Sequence, residues 1–467
     1  MKWRTILASL KSADMRKRLI SVLLMVVAYR FLTFVPVPLA EPTQLKKVID
    51  TVLTGSDFGG FLNLLSGGAL ASFSIVLVGL SPYITASIIT QLMTKVIPKL
   101  EELHKDGESG RRKINQWTRM LTLPLAIVQS IAFIFILRQT VLAGNTVVLN
   151  NTTPVEWIVA VTAMTAGAML LMWMGELMTE QGVGNGISLL IFAGIISQIP
   201  STMGTLWTSL TQSGTDKLSI LHYTLPVDAT SFWVITIIST ITLVVLYILV
   251  KINEAQRVIH INYAKRVQGN TAYGGTTSIL PVKIITAGVI PVIFAVAFLS
   301  LPAFIGQILK ATQNPQYTEL ANNLIKWFQA PTGGLTTLAD GAWVYPAAYF
   351  LLVVLFTYFY TGIIFNSDEI AENLQKQGGF IAHIRPGQAT AKYLRSVVNR
   401  LTLFGSISLG IIAILPFMGE YVAAQFGVTV TNLALGGTGL LIVVSVALEA
   451  LRQINSRALM VTYDEYK

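Results

Sequence analysis

The sequence predicts an all-α polytopic membrane protein, and composition and pattern both support this fold class. Only 12% of the 467 residues are charged, whereas about 25% of the residues of a soluble protein are charged. Hydrophobic residues make up 53% of the chain, and the mean hydropathy is +0.63. The apolar residues are gathered into ten long stretches instead of being spread evenly. These observations exclude a soluble enzyme.

Each predicted span is a mostly apolar stretch of about 20 residues, the length that a helix needs to cross about 30 Å of hydrocarbon. The stretches are 19–37, 74–97, 117–137, 155–177, 184–204, 231–251, 282–305, 342–366, 402–420 and 432–451. The first stretch follows Arg16, Lys17 and Arg18 but is longer than the apolar part of a signal peptide. We therefore interpret it as a retained helix.

The basic residues predict the orientation of the chain in the membrane. With the N-terminus inside, the cytoplasmic segments contain 26 Lys and Arg residues and the outer loops contain 6. Cytoplasmic segments of membrane proteins are enriched in these two residues. Because ten spans place both termini on one side, both termini are predicted to be cytoplasmic. The formal net charge of +10 then belongs mainly to the cytoplasmic face.

A short apolar segment between the first two predicted spans does not fit this pattern. Residues 58–73 contain Gly59, Gly60, Gly67 and Gly68 and are too few to cross the membrane. Broken helices at membrane depth occur inside protein or along a cavity. The pattern is compatible with a half-helix that re-enters a pore and also with a hairpin that lies on the membrane surface.

Two cytoplasmic loops, about 252–281 and 367–401, are long and basic. The first is predicted to form a β-hairpin, because VIHINYA is typical of a strand and QGN of a turn. In the second, the sequence HIRPG at 383–387 is typical of a rigid turn. A loop that only enforces topology would explain the charge. Docking of an acidic or phosphate-rich partner would explain both charge and length.

Other protein classes fit the sequence less well. Ser109 lies in a GESG sequence typical of intramembrane serine proteases, but it is predicted to lie in a charged loop. A secondary transporter of a small solute is the alternative function, although Arg30 is the clear intramembrane charge and Glu176 and Glu449 lie near inner helix ends. The sequence contains no cysteine and no Gly-Lys pair, so it has neither thiolate sites nor a Walker A loop. Asn185, in the glycine-rich turn before the fifth span, is predicted to cap a helix.

Nine segments, in order and spread over nearly the whole chain, resemble a known family. They are FVPVP (34–38), FLNLLSGGAL (61–70), GLSPYITASIITQL (79–92), GESGRRKINQWTR (107–119), LMWMGELMTEQGVGNGISLLIFAGI (171–195), INYAKR (261–266), AGVIPVIFA (287–295), YFYTGIIFNSDEIAENLQKQGGFIAHIRPGQATAKYL (358–394) and GGTGLLIVV (436–444). Together they resemble the SecY family, the pore-forming subunits of the bacterial Sec protein translocase.

The resemblance implies two pseudosymmetric inverted five-helix halves, 1–205 and 206–467, around a central hourglass pore. The first half would include a plug at about 58–73. Such a channel passes unfolded secretory proteins across the membrane and releases transmembrane segments sideways into lipid through a lateral gate. It would be a passive channel and not an enzyme, without a cofactor. A motor ATPase, the ribosome or the proton-motive force would supply the energy.

The resemblance also implies roles for individual residues. The pore ring would consist of Leu80, Ile84, Ile191, Ile293 and Ile442. The plug would include Phe61, Leu62, Asn63, Leu64, Leu65, Ser66, Gly67, Gly68, Ala69 and Leu70. The lateral gate would include Ser81, Pro82, Thr85 and Ser87. Partners would dock at Arg257, Lys265, Arg266 and Arg385. No catalytic residue and no metal ligand is implied.

Some of these positions have a simpler interpretation. Core packing would explain each aliphatic residue of the pore ring, and topology-setting charge would explain Lys265 and Arg266. The partners implied by the resemblance are SecE and SecG within the membrane, and the SecA motor or the ribosome at the basic loops. Signal peptides and nascent chains would be the substrates, in contact with membrane lipids. The implied location is the bacterial plasma membrane, in which the chain would be a multi-pass protein.

Overall fold

The computed structural model describes a mostly helical chain. It covers residues 13–38, 69, 72–143, 153–212, 217–220, 223–263, 265–268, 271–275, 277–288, 290–312, 315–328, 343–425 and 433–464. The helices are α1 (Ala13–Leu32), α2 (Ser81–Val96), α3 (Pro98–Lys105), α4 (Glu108–Ala143), α5 (Pro154–Gln181), α6 (Gly186–Ile196), α7 (Ile199–Gln212), α8 (Ala229–Glu254), α9 (Ile290–Ala311), α10 (Pro315–Phe328), α11 (Val344–Ile364), α12 (Ser367–Lys376), α13 (Gln388–Gln425) and α14 (Leu433–Asp464). The strands are β1 (Lys217–Ile220), β2 (Tyr223–Asp228), β3 (Gln256–Tyr263), β4 (Lys265–Gln268), β5 (Thr271–Gly274), β6 (Thr277–Lys283) and β7 (Gly379–Phe380).

The predicted helical membrane fold is confirmed. Within the described ranges, six stretches are long and apolar enough to cross a membrane: Arg112–Phe135, Pro154–Gln181, Ser231–Glu254, Ile290–Lys310, Val344–Lys376 and Gln388–Gly419. They coincide with six of the predicted spans. Helices α1, α2, α6 and α14 occupy the other four predicted positions. The count of ten spans is consistent with these helices and stays a prediction.

Several helix boundaries differ from the predicted spans. The second span was predicted from residue 74, but α2 begins at Ser81 because residues 75–80 form successive turns. The seventh was predicted from residue 282, where the chain still belongs to β6, and α9 begins only at Ile290. The fifth is broken, since α6 ends at Ile196 and α7 begins at Ile199. Hydropathy does not detect these breaks, because residues 75–80 and most of 282–289 are apolar and only two polar residues, Ser197 and Gln198, interrupt the fifth span.

Two compact units divide the chain. Unit 1 comprises 1–237, 296–346 and 416–467, and unit 2 comprises 238–295 and 347–415. In unit 1, α4 packs against α2 and α5, while α6 packs against α1, α5 and α14. The two halves implied by the resemblance follow different boundaries, and that division stays a prediction.

Unit 2 contains a three-stranded antiparallel sheet of order β6-β3-β7. Strand β3 pairs along its length with β6, and its last two residues pair with β7. The second hairpin segment, β4 with β5, turns between Gln268 and Thr271. This arrangement confirms the hairpin that was predicted for the first basic loop. A buried cluster supports the sheet: Ile259, Val282, Ile381, Leu394 and Val398.

Candidate functional site

The five predicted pore-ring residues are all buried. Their exposed fractions lie between 4% and 7%, for Leu80, Ile84, Ile191, Ile293 and Ile442. The amide of Ile84 donates a 3.0 Å hydrogen bond to the carbonyl of Leu80, which places these two residues one turn apart on the same face of α2. Aliphatic side chains of this kind exclude water and form no hydrogen bonds with a passing peptide.

Four of the five residues lie in unit 1. Ile191 lies on α6 and Ile442 on α14, and these two helices pack against each other. Leu80 is the N-cap residue of α2. Ile293 lies in the first turn of α9 within unit 2. The closed ring itself stays a prediction.

The predicted lateral-gate residues lie in the first two turns of α2. Pro82 occupies the start of the helix, where its missing N–H costs nothing. The Thr85 hydroxyl donates to the Ser81 carbonyl at 3.0 Å, and the Gln91 side-chain amide donates to the Ser87 hydroxyl at 3.1 Å. Both bonds run along α2 itself and use no group of a neighbouring helix.

The segment that precedes α2 is hydrogen-bonded to the residues at and after the end of α1. Of the predicted plug residues 61–70, all except Ala69 lie outside the described residues. Ala69 is fully buried, and its carbonyl accepts a 3.0 Å hydrogen bond from the Ser74 amide. The Phe73 carbonyl accepts from the Val37 amide at 2.9 Å. Residues 72–75 form an anchor that connects the predicted plug to the chain after α1.

Two further contacts and a buried ring hold this anchor. The Ser74 hydroxyl donates to the Leu32 carbonyl at 2.6 Å, and the Ile75 amide donates to the Val35 carbonyl at 3.0 Å. The Phe73 side chain is 1% exposed and belongs to a cluster with Leu77 and residues of α4 and α5. Phe73 also has a φ of +45°, a backbone conformation that is rare for a bulky residue.

The two basic loops meet in the sheet of unit 2. Arg257 lies on β3 opposite Val282 of β6, and the end of the same strand pairs with β7, three residues before the HIRPG turn. Arg257 and Arg385 are both exposed. In the part of the chain that the structure describes, neither of them forms an ion pair. Lys265 and Arg266 lie on β4, opposite β5.

The HIRPG sequence forms the predicted rigid turn. His383 has a φ of +65° and Gly387 a φ of +93°. The hydroxyl of Thr390 donates to the Arg385 carbonyl at 2.9 Å, and the Ile384 amide donates to the Ile381 carbonyl at 3.1 Å. The backbone of Arg385 is therefore held in place while its guanidinium faces outward. Holding a charged group in position lowers the entropy cost of binding.

Three polar features complete the comparison with the sequence predictions. Asn185 caps α6 as predicted, since its side chain accepts from the amides of Ile187 and Ser188. Ser109 was predicted in a loop, but it lies in the first turn of α4, which begins at Glu108. Among the described residues, no cluster of His, Cys, Asp and Glu could hold a metal ion.

Sequence reasoning missed an ion pair between two spans. The Arg119 side chain on α4 lies 2.6 Å from the Glu176 carboxylate on α5. Glu176 is only 19% exposed, so pairing lowers the cost of placing it near the membrane. The sequence does place Arg119 and Glu176, which have opposite charges, on two consecutive predicted spans. That placement could have indicated the ion pair.

Comparison with known proteins identifies the family. The SecY family matches residues 74–451. The chain is 38% identical over 462 residues to the protein translocase subunit SecY of Streptomyces scabiei and 40% identical over 462 residues to that of Corynebacterium glutamicum. It is 39% identical over 465 residues to the SecY subunit of Mycobacterium tuberculosis (strain H37Rv). Each alignment covers 98% of both proteins.

Solved structures show the same fold. A SecY structure that concerns the role of the plug domain in the closed state has a TM-score of 0.61 at 18% identity and covers 92% of this chain and 90% of its own. A structure of a protein-conducting channel has a TM-score of 0.59 at 18% identity and covers 94% and 91%. Sec61 from a canine ribosome–channel complex has a TM-score of 0.51 at 17% identity and covers 93% and 90%. The chain therefore belongs to the SecY family.

Proposed function

We propose that the chain is the pore-forming subunit of a protein translocase. It passes unfolded secretory proteins across the bacterial plasma membrane and releases transmembrane segments sideways into lipid. The observation that carries this proposal is the 38–40% identity, over 98% of the chain, to proteins named as translocase subunits. The chain acts as a passive channel, and its partners supply the energy.

The five buried aliphatic residues form the pore ring in this proposal. The Ile and Leu side chains of the pore ring can change rotamers around a moving peptide, because these side chains make only dispersion contacts with the peptide. The same pore ring hinders the passage of ions when the channel is idle, because an apolar constriction loses its water. Supporting this role, all five side chains are 4–7% exposed and aliphatic.

The plug and the lateral gate lie on either side of the anchor. Residues 61–70 block the outer side of the ring in the idle channel, and residues 72–75 tether them to the end of α1. The start of α2, with Ser81 and Thr85, forms one side of the lateral gate. Hydroxyls that bond within their own helix support this role, since such a surface can separate from its neighbour without losing hydrogen bonds.

The cytoplasmic side carries the docking sites. Arg257, Lys265, Arg266 and Arg385 bind the SecA motor or the ribosome, and SecE and SecG accompany the chain in the membrane. Both termini face the cytoplasm, as the distribution of Lys and Arg indicates. A guanidinium binds carboxylates and phosphates through paired hydrogen bonds, and the exposed position of Arg385 on a rigid turn supports this contact.

Site-specific crosslinking tests the pore assignment. The sequence contains no cysteine, so single substitutions Ile84→Cys and Ile293→Cys introduce unique thiols. Both should crosslink to a preprotein stalled during translocation. Leu243→Cys on α8, where the native side chain is 66% exposed, is the control and should not. Absence of crosslinks at both ring positions would refute the pore assignment.

A further inference from the structure

Helix α10 is an amphipathic helix in the connection between α9 and α11. At 100° per residue, its apolar side chains occupy one side of the helix and its polar side chains the other. The apolar side contains Tyr317, Leu320, Ala321, Leu324, Ile325, Trp327 and Phe328. The polar side contains Gln316, Thr318, Glu319, Asn322, Asn323 and Lys326. Nothing in the pore, gate or docking assignments uses this helix.

One edge of the apolar side packs against α9. A Cβ added at Gly306 of α9 would lie 3.0 Å from Ile325 Cγ1 and 3.1 Å from both the Ala321 carbonyl oxygen and Leu324 Cβ. Ala321 is fully buried. The glycine thus permits the close approach of the two helices, and this contact fixes the rotation of α10 about its own axis.

The other edge of the apolar side is exposed. Tyr317 is 46% exposed, Leu320 51% and Trp327 44%. These residues follow one another at spacings of three and seven, so they form a continuous stripe along the helix. An aromatic residue lies at each end of this stripe. Trp and Tyr are the residues enriched where a membrane protein meets the boundary between lipid and water.

The contact with α9 places this stripe at the level of a membrane surface. The part of α9 that is long and apolar enough to cross a membrane ends at Lys310. Gly306 precedes that end by about one turn, which corresponds to about 6 Å. An interfacial helix buries its apolar side about 5–10 Å into the boundary between headgroups and acyl chains. The depth set by Gly306 therefore matches the depth of such a helix.

We propose that α10 is an interfacial helix whose exposed stripe, Tyr317, Leu320 and Trp327, inserts into the lipid at the membrane surface. The occupant is lipid because the stripe continues the apolar surface of a membrane span, where Ile305 next to Gly306 is 51% exposed. On the opposite side of α10, Glu319 and Lys326 are exposed to water. The proposed orientation of the chain assigns this surface to the outer leaflet.

Fluorescence quenching in the purified translocase complex tests the proposal. Leu320→Cys is labelled with an environment-sensitive fluorophore in vesicles of phosphatidylethanolamine and phosphatidylglycerol. Asn322→Cys, on the polar side of the same helix and about 160° around it from Leu320, is the matched control. Nitroxides on the upper acyl chains should quench the label at 320 several-fold more than the label at 322. Aqueous iodide should show the reverse order.

Two results would overturn the proposal. Iodide quenching at 320 as strong as at 322 would place the stripe in water. Protection of 320 from both quenchers would show that protein covers it. Trp327→Cys repeats the measurement at the other end of the stripe, so that a defect of one variant does not decide the result. The measurement needs no translocation, so its outcome is distinguishable from a failure of the proposed function.

Discussion

Phe73→Ala should open the idle channel to ions, because it weakens the anchor behind the predicted plug. Phe73 is 1% exposed, and its ring packs in the cluster with Leu77 and Met164. Truncation of a buried Phe to Ala costs about 3–5 kcal/mol. Four hydrogen bonds to residues 32–37 also hold residues 72–75. Each contributes about 1 kcal/mol, so the ring supplies about half of the stability of the anchor.

The size of the expected effect follows from these energies. We assume that the anchor can detach while the rest of the fold stays intact. A loss of about 3 kcal/mol then raises the population of the detached state roughly a hundredfold, because about 1.4 kcal/mol corresponds to a factor of ten. Single-channel recording of the idle translocase in planar bilayers measures this change as a higher open probability. The substitution also relieves the positive φ of a bulky residue only slightly, because alanine disfavours that conformation too.

A cavity outside this cluster is the control for this prediction. Met178→Ala removes a fully buried side chain of α5 that belongs neither to the cluster of Phe73 nor to the anchor. It should lower the thermal stability by a similar amount and leave the idle conductance low. Equal conductance in the two variants, or no increase with Phe73→Ala, would refute the anchoring role.

Two further predictions concern the HIRPG turn, where docking is predicted, and the packing of helices. Arg385→Glu should impair export of a secretory protein in membrane vesicles while the amount of channel stays unchanged. The same charge change at the exposed Lys392 should have little effect on export. Equal export defects in the two variants would contradict a specific role for Arg385. Gly186→Ala should lower the unfolding temperature strongly, because the new Cβ would lie 1.9 Å from the Gly175 carbonyl oxygen. Gly204→Ala is the control, because its new Cβ would meet no atom within 4 Å. It should be neutral or stabilise the fold by up to about 1 kcal/mol. An equal drop of the unfolding temperature in both variants would exclude the packing explanation.

The sequence was informative where the signal is local. The hairpin of the first basic loop could be predicted because VIHINYA alternates and QGN turns within a few residues. The Asn185 cap was visible for the same reason. Helix starts at Ser81 and Ile290 were misplaced, because residues 75–80 and most of 282–289 are apolar although they precede the helices. In the sequence, a run of buried apolar residues looks the same whether it forms a helix or a strand.

The contacts that join the site are non-local and left no signal in the sequence. Asn262 and Tyr263 pair with Phe380 and Gly379 across more than a hundred residues, and no pattern in either loop indicates this partner. The anchor of Phe73 to Val37 likewise depends on two segments that are separate in the chain. Sequence reasoning therefore found the exposed arginines but not the sheet that brings their loops together.

The sheet in unit 2 connects the two predicted docking loops to the start of α9, the helix that carries the predicted ring residue Ile293. Strand β6 ends at Lys283, and the next amide, of Ile284, donates to the Ala255 carbonyl at 3.0 Å. The Ile284 carbonyl lies so close to α13 that a Cβ at Gly405 would approach it to 2.6 Å. Because packed elements resist compression, a partner that displaces β3 and β6 must also displace Ile284. The chain reaches Ile293 nine residues later, so a displacement of this sheet has only a short path to that predicted ring residue.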